Sequence, residues 1–474
     1  DKQLMDMNSV SSRLGRKTVE LHNICKSFGE RTIIDDFTYI FLRDDRIGIV
    51  GDNGCGKSTL MDLYKSYLRQ QGVADEQIIS INFEDYDYID LLEPRNFYAY
   101  VKERILSDGR MTYFFFDEIQ KCPEIVTKIK FLVDEGSFKY AMSGSLLGVE
   151  LKGIASAPVG YLTVLKMYPM DFEEFMIANN VSNATLDMLK ERFEMCIPID
   201  DFIHQRLLTM FFIYLIVGGM PDAVKTYIET KDIREVDKVQ CDIVALYKED
   251  FSQYELEDKK LKLKSIYDII PAELNKQNKK FIFTMLNKEL KFDRYENSFL
   301  WLKDAGVALP VYNVELPAIP LLASKSSNTF RLFSNDIGLL TSAYPAETKI
   351  ELINKNGEVN NGAHFENAIA QQLLANGFEP YYYKKKNIGE IDFIIEMSGK
   401  VVPIEVKSGK NYKSHKALDN LMNIPEYHVE KAYVFSIGNI ETKDNITYLP
   451  IYLCYLLKEK KLEKMIIDLD LSGL

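Results

Sequence analysis

Cysteine is scarce in this 474-residue chain. Its six residues, at 25, 55, 122, 196, 241 and 454, form no metal-like pair. That excludes a disulfide framework and a cysteine metal knuckle, and it fits a reducing, cytoplasmic setting. Long apolar runs are missing too. The longest, Leu207 to Val217, stops at Gly218-Gly219 and is too short to cross a bilayer. It reads as a buried helix, and no membrane partner is expected. No secretory pattern stands at the N-terminus, and the first residue is Asp, as in a piece cut from a longer chain. Low-complexity tracts and internal repeats are absent. Positive charge is in deficit. The net charge of −12 argues against a protein that coats nucleic acid. The deficit is uneven, however. Between Lys259 and Arg294 ten lysines or arginines face four acids, a local balance of +6. A basic face of this kind matters more for docking than the global sum, although any single lysine in it reads first as solvated surface. The rest is ordinary globular composition, 46% hydrophobic and 27% charged, in a chain long enough for two to four domains.

What is present is concentrated in a few segments. Gly51-Asp52-Asn53-Gly54-Cys55-Gly56-Lys57-Ser58 is a complete G-x-x-x-x-G-K-[ST] loop. It follows the short apolar strand Ile47-Gly48-Ile49-Val50 and opens a helix near Thr59, the context in which the pattern has a mechanism. The glycines let the backbone curl, so that N–H groups from Gly51 to Thr59 point at phosphate oxygens, and the helix N-terminus adds partial positive charge. Lys57 would reach the β and γ phosphates and Ser58 would hold Mg²⁺, which makes ATP and Mg²⁺ the implied cofactors. Without ligand the Lys57 head is expected in solvent. Tyr113-Phe114-Phe115-Phe116 reads as a strand buried on both faces of a parallel sheet, ending in Asp117-Glu118. Ligands of such sheets sit beyond the carboxyl ends of the strands. Asp117 is therefore expected near the Mg²⁺ of Ser58, with Glu118 orienting or deprotonating the attacking water. A further strand ends at Ser143-Gly144-Ser145. Ser143 either senses the γ phosphate or simply closes a strand-end turn.

Along the chain, residues 18–50 read as strands with a turn at Gly29-Glu30-Arg31. Residues 57–165 alternate helix and strand in the α/β pattern of a P-loop NTPase. Residues 171–250 read as mostly helical, broken at Gly218-Gly219-Met220-Pro221. In 295–309, Tyr295, Phe299, Leu302 and Ala305 share a helical face, Gly306 stops the helix and Val307-Ala308-Leu309 follow. Helix, tight turn and strand suggest a winged helix, although core packing explains the same pattern without DNA. Pro345 to Gly362, rich in Asn, Glu and Lys, reads as a linker. Beyond it lies a second constellation. Phe365-Glu366 opens a helical pattern, and Glu390-Ile391-Asp392 and Ile404-Glu405-Val406-Lys407 lie on two strands around the turn Ser398-Gly399-Lys400. Period-two alternation puts Glu405 and Lys407 on one face, with Asp392 opposite and Glu366 above. Three carboxylates for Mg²⁺ and a lysine for water are what a metal-dependent phosphodiesterase needs; a surface ion-pair cluster is the plain alternative.

From about Lys57 onward the chain resembles a family of bacterial and archaeal AAA-type ATPases with an uncharacterised C-terminal domain. The resemblance is carried by Ile78–Asp85, Tyr113–Gln120, Ser143-Gly144-Ser145, Tyr168–Phe175, Gly218–Pro221, Asn335–Leu340 and Glu405–Gly409. It implies an α/β architecture: a P-loop NTPase (AAA-like) core over 57–170, a helical lid over 171–250, a winged-helix-like domain over 255–345 and a PD-(D/E)XK nuclease-like domain over 346–474. Residues 1–56 are set apart. Ser11–Lys17, Lys26–Arg31 and Asp45–Thr59 resemble the second nucleotide-binding domain of ABC-F proteins, in which Phe28 would stack on adenine. The Leu-Ser-Gly-Gly signature of that family is missing downstream, so the chain reads as two P-loop proteins joined at their shared Gly-Lys-Ser-Thr. No arginine lies between Arg110 and Arg192, which leaves Arg192 and Arg206 as weak candidates for a trans-acting finger. The expected function is an ATP-hydrolysing switch acting on DNA or RNA. Oligomerisation is compatible with it. The alternatives are a regulator or protein-interaction switch without cleavage, and an ABC-F-like translation factor fragment.

Overall fold

The computed structural model describes residues 17–28, 31–42, 47–51, 54–105, 109–122, 124–126, 129, 138–144, 163–253, 257–276, 279–281, 296–353 and 361–459. The expectations for Asp52, Asn53, Tyr295, the turn at Gly29-Glu30 and most of a helix at 123–135 fall outside them.

The chain begins with β1 (Lys17–Phe28) and β2 (Arg31–Leu42), an antiparallel ribbon that forms a sheet by itself. The strands expected over 18–50 therefore divide: only β3 (Ile47–Val50) joins the nucleotide-loop sheet. With β4 (Ile78–Asn82), β5 (Thr112–Asp117), β6 (Phe138–Gly144) and β7 (Thr163–Lys166), β3 builds a parallel five-stranded sheet in the order β4-β5-β6-β3-β7. Side-chain alternation in β5 explains its near-continuous apolar sequence. Phe114 and Phe116 pack with Phe97 and Val101 of helix Pro94–Arg104. Phe115 faces the other way, toward Met61 and Leu68 of helix Lys57–Gln70. A strand covered by helices on both faces has no side for water, so both of its parities are apolar.

A run of helices follows: Phe172–Ala178, Asn183–Met195, Asp201–Val217, Pro221–Thr230 and Ile233–Gln253. The first is fixed by a reciprocal capping box between Asp171 and Glu174. Asp201–Val217 is apolar nearly all round and nine of its residues are buried, as expected of a helix inside a core rather than on a surface.

The large sheet takes strands from both sides of residue 345. It consists of β8 (Ala308–Val314), β9 (Lys325–Ser334), β10 (Tyr381–Lys385), β11 (Gly389–Met397), β12 (Lys400–Lys407), β13 (Ala432–Ser436), β14 (Glu441–Lys443) and β15 (Ile446–Pro450). Its order is β14-β15-β13-β12-β11-β10-β8-β9. The hairpin at Ser398-Gly399 forms, with positive φ at both turn residues. Phe299 and Leu302 of helix Glu296–Asp304 and the adjoining Ala305 are buried, and Gly306 turns the chain into β8, which pairs with β9 and β10. One apolar core runs from Phe172 to Leu457. The linker reading of 345–362 is corrected over Ala346–Ile353, which is helical: Leu352 is buried and Lys349 pairs with Asp237. Asn, Glu and Lys composition hid a helix in which Leu352 faces the core while Ile350 stays exposed.

Candidate nucleotide site and C-terminal charge cluster

The phosphate-type loop lies at the carboxyl end of β3. Gly54 and Gly56 hold φ of 82° and 96°, a left-handed backbone that favours glycine. Gly56 is the N-cap of helix Lys57–Gln70, and no side chain caps it, so the N–H groups of the first turn face the loop. Lys57 is buried, and its Nζ donates to the Gly51 carbonyl at 2.9 Å. The expectation of a solvent-borne lysine head is thereby corrected. The loop closes over the ammonium, whose charge is satisfied by a carbonyl of the same loop.

Strand order brings the two motifs together. Ser58 Oγ donates to Asp117 Oδ2 at 2.9 Å across 59 positions. Because β6 lies between β3 and β5, its end presents Ser143, whose hydroxyl donates to Asp117 Oδ1. The Glu118 backbone N–H also reaches that oxygen, at 3.2 Å. Glu118 itself sits in the left-handed region at φ 55° and accepts from the Gln120 side-chain amide. Burial pushes its carboxyl up, opposed by the Gln120 hydrogen bond. Gln120 carries no motif signal and only the fold reveals it. Thr59 is exposed and Cys55 buried in the same turn. Phe28 ends β1, and its side chain lies outside the described residues.

The loop also touches the helical region. A side chain at Gly54 would meet Met220 Cε at 3.3 Å, and one at Gly56 would meet Pro221 at 3.7 Å. Gly219 continues this contact inward. Its carbonyl accepts from Met170 N–H at 2.7 Å, and its N–H donates at 2.6 Å to Asp336, a buried carboxylate that also caps helix Ile337–Ser342.

The second constellation converges as well, with company the sequence did not announce. Glu366 on helix Gly362–Ala375 and Asp392, Glu405 and Lys407 on β11 and β12 form one cluster. Val406 N–H donates to Asp392 Oδ2 at 2.9 Å, and Lys407 pairs with Glu405 at 2.7 Å. Burial and the Asp392 charge push the Glu366 and Glu405 carboxyls up. Arg331 of β9, 1% exposed, stands among them: its guanidinium lies 3.4 Å from Glu366 and 3.7 Å from Asp392 and pairs with Glu390. Lys279 holds the other oxygen of Glu366. Among the described residues no three carboxylate, histidine or cysteine side chains converge as metal ligands. The arrangement of Glu366, Asp392 and Glu405 does not fit a divalent cation, because Lys279 and Arg331 hold both Glu366 oxygens, the Val406 N–H and Arg331 engage Asp392, and Lys407 holds Glu405.

Geometry and similarity meet at the loop. Residues 44–176 match the family described as an AAA domain, while 209–350 and 361–454 match two domains of unknown function, DUF8612 and DUF4143. Over residues 44–176 the protein is thus similar to AAA-type P-loop ATPase domains. An uncharacterized protein of Haemophilus influenzae is 32% identical over 151 residues, 31% of this chain and 37% of the relative. The energy-dependent translational throttle protein EttA of the same organism is 50% identical over 48 residues, 10% of this chain and 9% of that protein. The chain thus spans well under two thirds of either relative. A Walker-type ATPase of Pyrococcus abyssi aligns with 63% of this chain and 91% of its own, at 14% identity and a TM-score of 0.36. Among the described residues no helix is long and apolar enough to cross a membrane.

Proposed function

We propose that this protein is an ATP-hydrolysing switch whose C-terminal region engages nucleic acid. The observation that carries the first half is the Ser58–Asp117 hydrogen bond, which joins the loop to the acid strand. In this reading the backbone from Gly51 to Thr59 and the Lys57 ammonium hold the phosphates. Ser58 and Asp117 hold Mg²⁺, whose charge offsets that of the phosphates. Glu118 takes the proton from the attacking water, kept in place by Gln120. Its burial raises its affinity for that proton, which suits a base working near neutral pH. Ser143, on the far oxygen of Asp117, transmits the state of the γ phosphate to β6.

Nucleic-acid engagement is supported by the basic stretch 259–294 and by the half-exposed Lys384 and Lys407 at the cluster rim. A cytoplasmic location belongs to the same reading. ATP turnover in Mg²⁺, measured with and without DNA and RNA, tests it. Turnover stimulated by either polymer is the expected result. Turnover indifferent to both would leave a protein-interaction switch, and no turnover would remove the hydrolytic role. The EttA-like stretch favours a translation-factor reading, which ATP-dependent co-sedimentation with ribosomes would support.

A further inference from the structure

We propose that the Arg331 guanidinium is the resident cation of the C-terminal cluster and closes it to divalent metal. The inference stands whether or not the region meets nucleic acid. Four carboxylates, Glu366, Glu390, Asp392 and Glu405, face four cations, Lys279, Arg331, Lys384 and Lys407. The formal charge of the cluster is therefore zero without any ion. A Mg²⁺ or Mn²⁺ site built on three carboxylates carries an excess of negative charge that the metal neutralises. Here no such excess exists.

The oxygens are committed as well as the charge. Glu366 gives one oxygen to Lys279 and the other to Arg331. Asp392 gives Oδ2 to the Val406 N–H and Oδ1 to Arg331. Arg331 also donates to the Asp392 backbone carbonyl at 3.4 Å and lies over the Tyr382 ring at 4.6 Å, so its position is fixed by β10 and β11 together. A hard cation wants about six oxygens at roughly 2.1 Å. To gather them it must break contacts of this kind beside a buried positive group. A planar guanidinium satisfies several carboxylates at once through its fork of donors. With its charge balanced and its oxygens committed, the cluster offers no place for a metal that would activate water.

Mn²⁺ titration of the full chain by calorimetry, followed by thermal unfolding with and without Mn²⁺, tests this. The parent is expected to show no saturable uptake that Asp392→Asn removes. Arg331→Ala is expected to unfold at lower temperature and to gain Mn²⁺ uptake, with its unfolding temperature raised by Mn²⁺ while that of the parent stays put. Guanidinium added at low concentration should compete with Mn²⁺ in that variant. If Arg331→Ala does not fold, Arg331→Lys keeps the charge and is expected to exclude Mn²⁺ as the parent does. A saturable site in the parent or in Arg331→Lys that Asp392→Asn abolishes overturns the proposal. So does a folded Arg331→Ala that takes up no Mn²⁺.

Discussion

In the proposed reading Lys57 and Glu118 divide the work of the nucleotide site, and single substitutions separate their roles. Lys57→Ala removes the charge aimed at the phosphates, and Mg-ATP affinity in a calorimetric titration should fall tenfold or more. The same change deletes the hydrogen bond to the Gly51 carbonyl, so the apo protein should also lose about 1 kcal/mol of stability. A variant that binds Mg-ATP as tightly as the parent would detach the loop from nucleotide binding. Glu118→Gln keeps the shape and the Gln120 neighbour but cannot accept a proton. It should bind ATP normally and release phosphate about 10²–10⁴-fold more slowly. Equal phosphate release by parent and variant would take Glu118 out of the mechanism.

At the scale of elements, the informative joint is the Gly218-Gly219 turn between helix Asp201–Val217 and helix Pro221–Thr230. A Cβ on Gly219 would run into the Met170 backbone, and the Gly219 N–H belongs to Asp336. Gly219→Ala should therefore cost roughly 3 kcal/mol in a denaturant titration, because backbone must move. Gly72 has a positive φ but nothing within 4 Å, so Gly72→Ala should cost only about 1 kcal/mol. Equal costs would mean that the turn is not tightly packed. The two cases also show what the sequence makes legible. The phosphate-type loop, the buried strand before Asp117 and the Ser398-Gly399 hairpin are written in contiguous residues, and their physics is local. Arg331 is not, since it lies on a strand with no motif and reaches its carboxylates only after β8 and β10 have paired. Gly219 and Asp336 stand 117 positions apart and nothing local links them. Helix Ala346–Ile353 was hidden for a related reason: one buried leucine and one paired lysine are tertiary facts.

Over the whole molecule, stability carries a pH signature from Asp336. Burial pushes its carboxyl from 3.8 up to about 6, against the pull of its backbone donors. Between about pH 4 and pH 6 the folded protein keeps a proton that the unfolded chain has already released. The Asp336 contribution therefore falls as pH rises through that window, by at most roughly 3 kcal/mol, and Glu174 and Glu405, both pushed up to about 8 by burial, extend the decline to higher pH. Denaturant midpoints at a series of pH values should show this decline, and Asp336→Asn should make it shallower between about pH 4 and pH 6; an undiminished slope there in that variant would assign the effect elsewhere. The shared core has a further consequence, for synthesis on the ribosome. His204 hydrogen-bonds Tyr452 at 2.8 Å across 248 positions, and helix Asp201–Val217 packs in the same core as the last strands. At about 5–20 residues per second that helix emerges roughly 12–50 s before its partners exist. For that interval its apolar surface has no native cover, the kind of surface that a holding chaperone covers on a nascent chain.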